Sequence, residues 1–211
     1  MNCVYLDCSR SQLSIGLLSA GEFSGVEKIV GRHDTVLLPA LTQLLGARGL
    51  VAQDLDQAVV VNGPGSFTGL RIAVSCIHAL DAVKRIKVLA IDQLSLLAAS
   101  IKFSDEAILD AKMNELYLGR NLSETGLYQD IIIVPRDQVI DDVPRVCHDS
   151  EVDVLPGVLV SCDPNLDTLR ALSDRQLPSD WIDGAFLTPR YVRNKVNWKP
   201  LAEQPSKLYD R

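Results

Sequence analysis

The chain repeats itself at close to half its length. The segment "LDCSRSQLSIG" (6–16) aligns without a gap with "LDAKMNELYLG" (109–119), an offset of 109 − 6 = 103 in a chain of 211 residues. Leu6 matches Leu109, Asp7 matches Asp110, Leu13 matches Leu116, Ile15 matches Leu118 and Gly16 matches Gly119. In each copy an apolar run ends in an aspartate, a polar turn follows, and an alternating run takes over, which is the pattern of strand, turn, strand. Leu and Gly are common residues, so matches of this kind can arise by chance. The half-length offset and the shared hairpin pattern favour a duplication. A duplication confines the chain to two lobes built on one plan, each opening on a hairpin that carries an Asp.

The first lobe, taken as 1–103, continues in the same style. After the hairpin (2–7 and 12–18), "GVEKIV" (25–30) predicts a third strand. Leu37, Leu38, Leu41, Leu44 and Leu45 predict a helix over 35–48. Pro39 lies inside that span, so the helix either starts just before it or is kinked there. "DLDQAVVV" (54–61) reads as a buried strand, Phe67 to Arg85 as a helix, "KVLAI" (87–91) as a strand and 92–100 as a short helix. Strands alternating with helices make an α/β lobe with a mixed sheet. The second lobe, 104–211, is less regular. It has strands near 116–121 and 127–134, a Pro- and Asp-rich connection (135–150), an apolar stretch (154–161) and a helix near 165–173. Its C-terminus is basic and aromatic without clear periodicity. A duplicated lobe that starts on an Asp-bearing hairpin is similar to the two-lobed actin-like (ASKHA, RNase H-like) α/β folds.

Charge and cysteines exclude several classes. Net charge is −6. An acidic chain is poorly suited to grip nucleic-acid backbone by itself, because counterion release needs clustered Lys and Arg. Five cysteines, none in CxxC spacing, point to reduced thiols in the cytoplasm and away from a disulfide framework or a zinc site. No signal peptide and no membrane span are expected.

The stretch "NGPGSFTGLR" (62–71) has the look of a phosphate cradle. A P-loop needs Lys and Ser or Thr after its last Gly, and here Leu70 and Arg71 follow Gly69. The spacing of Gly63, Gly65 and Gly69 misses the dinucleotide fingerprint, and Phe67 stands where a nucleophile elbow needs Ser. What remains is a tight turn launching a helix, with Ser66 or Thr68 as cap. An anion pocket at that helix start is the other reading. On a helical wheel Arg71, Ser75, His78, Ala82 and Arg85 share one side. The apolar residues cover an arc of roughly 220°, wider than the stripe of about 100° or somewhat more that one sheet demands. The 35–48 helix or a partner protein must cover the surplus. Leu70, Arg71, Val74, Ile77 and His78 are the candidate interface, and charge at Val74 or Ile77 is expected to weaken partner binding more than folding.

Four ordered segments resemble the TsaB (YeaZ) family. They are "VNGPGSFTGLRIAVS" (61–75), "RHDTVLLPAL" (32–41), "ILDAKMNELYLG" (108–119) and "LTPRYVRNKVNWK" (187–199). That family acts in making N6-threonylcarbamoyladenosine at position 37 of tRNA. The resemblance implies the non-catalytic paralogue, partner of the catalytic TsaD, joined by the ATPase TsaE and meeting tRNA only through the complex, with a homodimer possible when alone. It also implies no catalytic residue, cofactor or metal of its own. Gln93 and Leu97 stand where the catalytic paralogue carries its His pair, and neither Asp turn, "DCSRS" nor "DAKMN", has a phosphate-binding glycine.

Competing readings rest on the acids. Asp7 and Asp110 could serve an actin-like kinase or ATPase. With Asp92 they could make an RNase H-type two-metal site, though strand-end acids usually solvate and cap. A peptidase would need a metal pair or a nucleophile–base arrangement that the sequence does not offer. His33 reads as a loop residue or an interface residue. Cys76 reads as core. Arg190, Arg193, Lys195 and Lys199, interleaved with Tyr191 and Trp198, are either a solvated tail or a tRNA contact.

Overall fold

The structure is a computed structural model and describes residues 1–102, 104–139 and 143–193. The first sheet is built from β1 (Cys3–Asp7), β2 (Leu13–Ser19), β3 (Glu22–Ile29), β4 (Gln57–Val61) and β5 (Lys87–Ile91), in the order β5-β4-β1-β2-β3. The second is built from β6 (Ala107–Lys112), β7 (Glu115–Leu122), β8 (Tyr128–Pro135), β9 (Arg145–His148) and β10 (Leu159–Cys162), in the order β10-β9-β6-β7-β8. Adding five to each strand number converts one order into the other. In both sheets the first three strands form an antiparallel meander, the fourth runs parallel to the first, and the fifth runs parallel to the fourth. The sequence repeat is therefore a duplicated fold, and the chain is a two-lobed actin-like α/β protein. A two-residue β11 (Ile182–Asp183) adds to β5 antiparallel.

The helices divide unequally between the copies. α1 (His33–Gly46) follows β3, α2 (Phe67–Val83) follows β4, and α3 (Gln93–Ser100) follows β5. α1 runs through Pro39, which lies on its exposed side. In the second lobe the places of α1 and α2 are taken by single 3-10 turns at 136–138 and 149–151. α4 (Leu166–Ser173) follows β10.

β1 shows why the first sheet needs cover on both faces. Val4 and Leu6 point into a cluster with Leu37, Leu41, Ala73 and Ile77 from α1 and α2. Cys3 and Tyr5 point the other way, into a cluster with Leu96 of α3 and Leu166, Leu169 and Leu172 of α4. Alternation with period two sends successive residues to opposite faces, and both are apolar because both are covered. α3 joins the lobes. Leu96 belongs to the first-lobe cluster, whereas Leu94, Leu97 and Ala98 pack with Ala107, Leu109 and Val146 of the second. Asp92 caps α3 by accepting from Ser95 N at 2.8 Å. After β10 the chain returns: α4, β11 and Leu187 all pack on the first lobe.

Candidate functional site

Two features flank the first turn of α2, an interlobe cleft and a surface groove. The turn is set by local chemistry. Gly63 has φ +80, a conformation L side chains rarely adopt. Ser66 is the cap, its Oγ accepting from Gly69 N at 3.1 Å.

The rest of the stretch holds the returning chain. Asn62 clamps it twice, with Nδ2 donating to Thr188 O at 2.8 Å and Oδ1 accepting from Arg190 N at 3.2 Å. A Cβ on Gly63 would lie 2.6 Å from Arg190 O, so the two backbones touch. Tyr191 stacks on Phe67, with centroids 5.0 Å apart and planes at 29°. The Arg71 guanidinium lies 3.9 Å from the Phe67 centroid, and its Nε donates to Tyr191 Oη at 2.8 Å. Arg193 then reaches the second lobe, with Nη2 donating to Ala111 O at 2.9 Å and pairing with Glu115 at 2.5 Å. Residues 188–193 are thus a strap from the start of α2 to the β6–β7 turn. Lys195, Trp198 and Lys199 of the basic aromatic segment lie outside the described residues.

The cleft has a volume of about 640 Å³ and brings both repeated aspartates, Asp7 and Asp110, to its lining. Their carboxylates are already engaged. Asp7 Oδ1 accepts from Ser9 N at 2.8 Å and Ser9 Oγ at 2.6 Å. Burial pushes the Asp7 carboxyl above its ordinary range, against the pull of those two hydrogen bonds. For Asp110 burial acts in the same upward sense, but the Lys112 ammonium at 2.6 Å, the Lys112 amide and the Arg136 charge win and hold it low. Arg10 crosses the cleft to Ser150 at 2.8 Å and Glu151 at 3.1 Å. Asp163 takes Lys28 from the opposite lobe and His148 Nε2 at 3.0 Å. The lobes are laced together by their own ion pairs. The β6–β7 turn places Lys112, Met113 and Asn114 at φ 62, 56 and 61, with side chains where a phosphate-gripping turn has glycine.

The other acid and the metal-pair positions lie in the interior. Asp92 is 4% exposed and spent on its cap, with Ser95 Oγ donating to Oδ2 at 2.5 Å; burial raises its carboxyl too. Gln93 is buried with Oε1 2.8 Å from Ser9 Oγ, and Leu97 is core. Among the described residues no three His, Cys, Asp or Glu side chains gather as a metal site.

The groove lies between α1 and α2, has a volume of about 460 Å³, and is lined by Leu37, Leu38, Phe67, Arg71, Ile72 and Ala79 among others. Leu38 is 59% and Phe67 54% exposed. His33 sits at its floor with Nε2 buried and unpartnered among the described residues.

This corrects the surface expected from sequence. Leu70, Val74 and Ile77 are buried inside this chain, at 2%, 6% and 0% exposure. Most of the apolar arc of α2 is covered internally, by the sheet beneath, by α1 on one flank and by residues 184–187 on the other, while Ile72 and Ala79 open onto the groove and Val83 is 48% exposed. Leu187 is itself buried, and its carbonyl lies 2.9 Å from His78 Nε2. Arg71 and His78 remain on the surface, and Arg71 alone of the five lines the groove. The apolar groove residues Leu38, Phe67 and Ile72 were missed because two come from the outer sides of the helices, which a core-seeking pattern discards. Cys76 is core, as its wheel position suggested.

Fold and cleft together define an actin-like two-lobed protein whose cleft is bridged by its own side chains and whose first lobe carries an open apolar groove. Residues 26–156 match the family model described as TsaD, tRNA N6-adenosine threonylcarbamoyltransferase. The chain is 26% identical to the tRNA threonylcarbamoyladenosine biosynthesis protein TsaB of Haemophilus influenzae, across 93% of this chain and 95% of that protein. It is 30% identical to the Bacillus subtilis TsaB across 63% and 60%. The structure of YeaZ from Pseudomonas aeruginosa superposes with a TM-score of 0.71 at 25% identity, covering 90% of this chain and 99% of that one. The chain belongs to the TsaD family and, within it, to the TsaB (YeaZ) group.

Proposed function

We propose that this chain is a non-catalytic scaffold and activator in the transfer of threonylcarbamoyl to adenosine 37 of tRNA. It works in the cytoplasm as the heterodimeric partner of the catalytic TsaD, with the TsaE ATPase joining the pair and tRNA contacted through the complex. In the absence of TsaD the same face serves a homodimer. The carrying observation is the α1–α2 groove, where Leu38, Phe67 and Ile72 present apolar surface around a buried, unpartnered His33 nitrogen. Apolar surface with a few convergent polar groups is what a protein partner covers. The cleft supports the same reading. Among the described residues its acids already engage Lys112, Arg10, Lys28 and the Ser9 hydroxyl, and neither turn that follows the two repeated aspartates carries a glycine for phosphate. A kinase or ATPase acting through Asp7 and Asp110 would first have to break those pairs.

The test is reconstitution of tRNA modification from TsaD, TsaE and the donor-forming enzyme, with and without this chain. Activity is expected only with it, and a Leu38→Glu variant is expected to be inactive while folded. Equal modification without the chain would sink the proposal.

A further inference from the structure

The strap touches the groove. Phe67 and Arg71 line the groove and are also the two residues on which Tyr191 rests. The strap is held unevenly along its length. At Thr188 and Arg190 it is clamped by Asn62, which is 7% exposed, and lies against the backbone of Gly63. At Tyr191 it is held by an open stack: Phe67 is 54% exposed and Tyr191 39%. Exposed ring and cation contacts of that kind are weak beside buried backbone clamps. Tyr191 is therefore the weak link of the strap, between the Asn62 clamp and the hold of Arg193 on Ala111 O and Glu115, with Arg190 as the pivot.

We propose that residues 191–193 form a displaceable cover on the docking groove. Tyr191 sits on Phe67 and Arg71 in the free chain, and a docking TsaD subunit takes over those two residues and lifts the strap tip. The proposal rests on the docking reading above and adds a regulation to it. One ring and one guanidinium cannot serve Tyr191 and an incoming apolar surface in full at once. Binding must then displace the cover, and the apparent affinity is lowered by the fraction of chains in which it is closed. Lifting the tip also strains or breaks the pair between Arg193 and Glu115, the strap's hold on the second lobe. Docking on the first lobe is thereby linked to the β6–β7 turn, which borders the interlobe cleft through Lys112.

The test measures TsaD binding by calorimetry to the full chain and to Tyr191→Ala, Tyr191→Phe and Leu38→Glu, with amide hydrogen exchange of residues 187–193 in free and bound states. Removing the cover is expected to tighten TsaD binding roughly 2- to 10-fold, the equivalent of one surface aromatic pair. Tyr191→Phe, which keeps the stack and loses the Arg71 hydrogen bond, is expected to fall between. Strap exchange is expected to quicken on binding. If Tyr191→Ala binds TsaD equally or more weakly, or the strap becomes protected, the cover is overturned and the docking reading survives. If the native chain does not bind TsaD, or Leu38→Glu binds as well as the native chain, the docking reading falls and the cover with it.

Discussion

Gly69 and Cys8 are in backbone contact: a Cβ built on Gly69 would stand 1.9 Å from Cys8 O. Gly69 lies in the first turn of α2 and Cys8 begins the turn after β1, so this contact seats the helix on the Asp7 turn. Ser66 N donating to Ser9 O at 2.6 Å fixes the same junction one step earlier. Backbone on both sides leaves nothing flexible to yield. Gly69→Ala is expected to cost about 3 kcal/mol, in the range of overpacking substitutions. Urea denaturation checks this; a loss below about 1 kcal/mol, the usual scale of a helix-interior propensity change, would mean that the turn simply moves aside.

Charge on α2 and α1 separates core from groove. Ile77→Glu places a carboxylate at a 0% exposed site with apolar neighbours. Burying an unpaired charge costs several kcal/mol or more, so the variant should melt far below the native chain or fail to fold. Leu38→Glu, at a 59% exposed site, should keep its melting temperature. Thermal melts of the pair decide it. Similar melting of both would return Ile77 to the surface and restore the interface expected from the helical wheel.

How much of this was legible depended on how local each cause was. The Asp7 and Asp110 hairpins were readable because a hairpin needs only alternation and a turn, both contained in eleven residues. The duplication followed from that pattern together with its half-length offset. β9 was missed inside 135–150 because "RVCH" is four residues long and flanked by Pro144 and acids, and Arg145 fills a core position with a charge. The face of α2 could not be assigned, since the 184–187 segment that covers one flank lies over a hundred residues away in sequence. The strap left no periodic trace either. Its signal is the complementarity of Asn62, Gly63, Phe67 and Arg71 to Thr188, Arg190 and Tyr191, which only three dimensions display.

Arg145 takes its charge into the second-lobe core at 2% exposure, where Nε donates to Glu106 Oε2 at 2.8 Å and Nη1 to Val143 O at 3.2 Å. Glu106 also holds Arg120 at 2.8 Å. Replacing Glu106 by Gln removes one carboxylate charge from the buried guanidinium and from Arg120 together. A loss of about 3 kcal/mol is expected, the scale for breaking one side of a buried pair. Chemical denaturation of the two proteins measures it. An unchanged midpoint would show that the other contacts of Arg145 satisfy it without the Glu106 charge.

Asp7 gives the pH prediction. Burial raises its carboxyl pKa in the folded chain, whereas in the unfolded chain an aspartate ionises near pH 4. Between those two values the folded state holds the proton more tightly, so folding takes a proton up. Stability contributed by this group is then present at low pH and falls as pH rises through the window, staying reduced above the folded value. Asn in its place keeps an oxygen to accept from Ser9 N and Ser9 Oγ and cannot ionise. Asp7→Asn is therefore expected to be more stable than the native chain at pH 7.5, with the gain shrinking toward pH 4. Paired urea titrations at the two pH values measure the difference directly. A variant that is less stable at pH 7.5 would mean that the ionised carboxylate has a stabilising partner in solution, a bound cation first among them, and would reopen the enzymatic reading of the cleft.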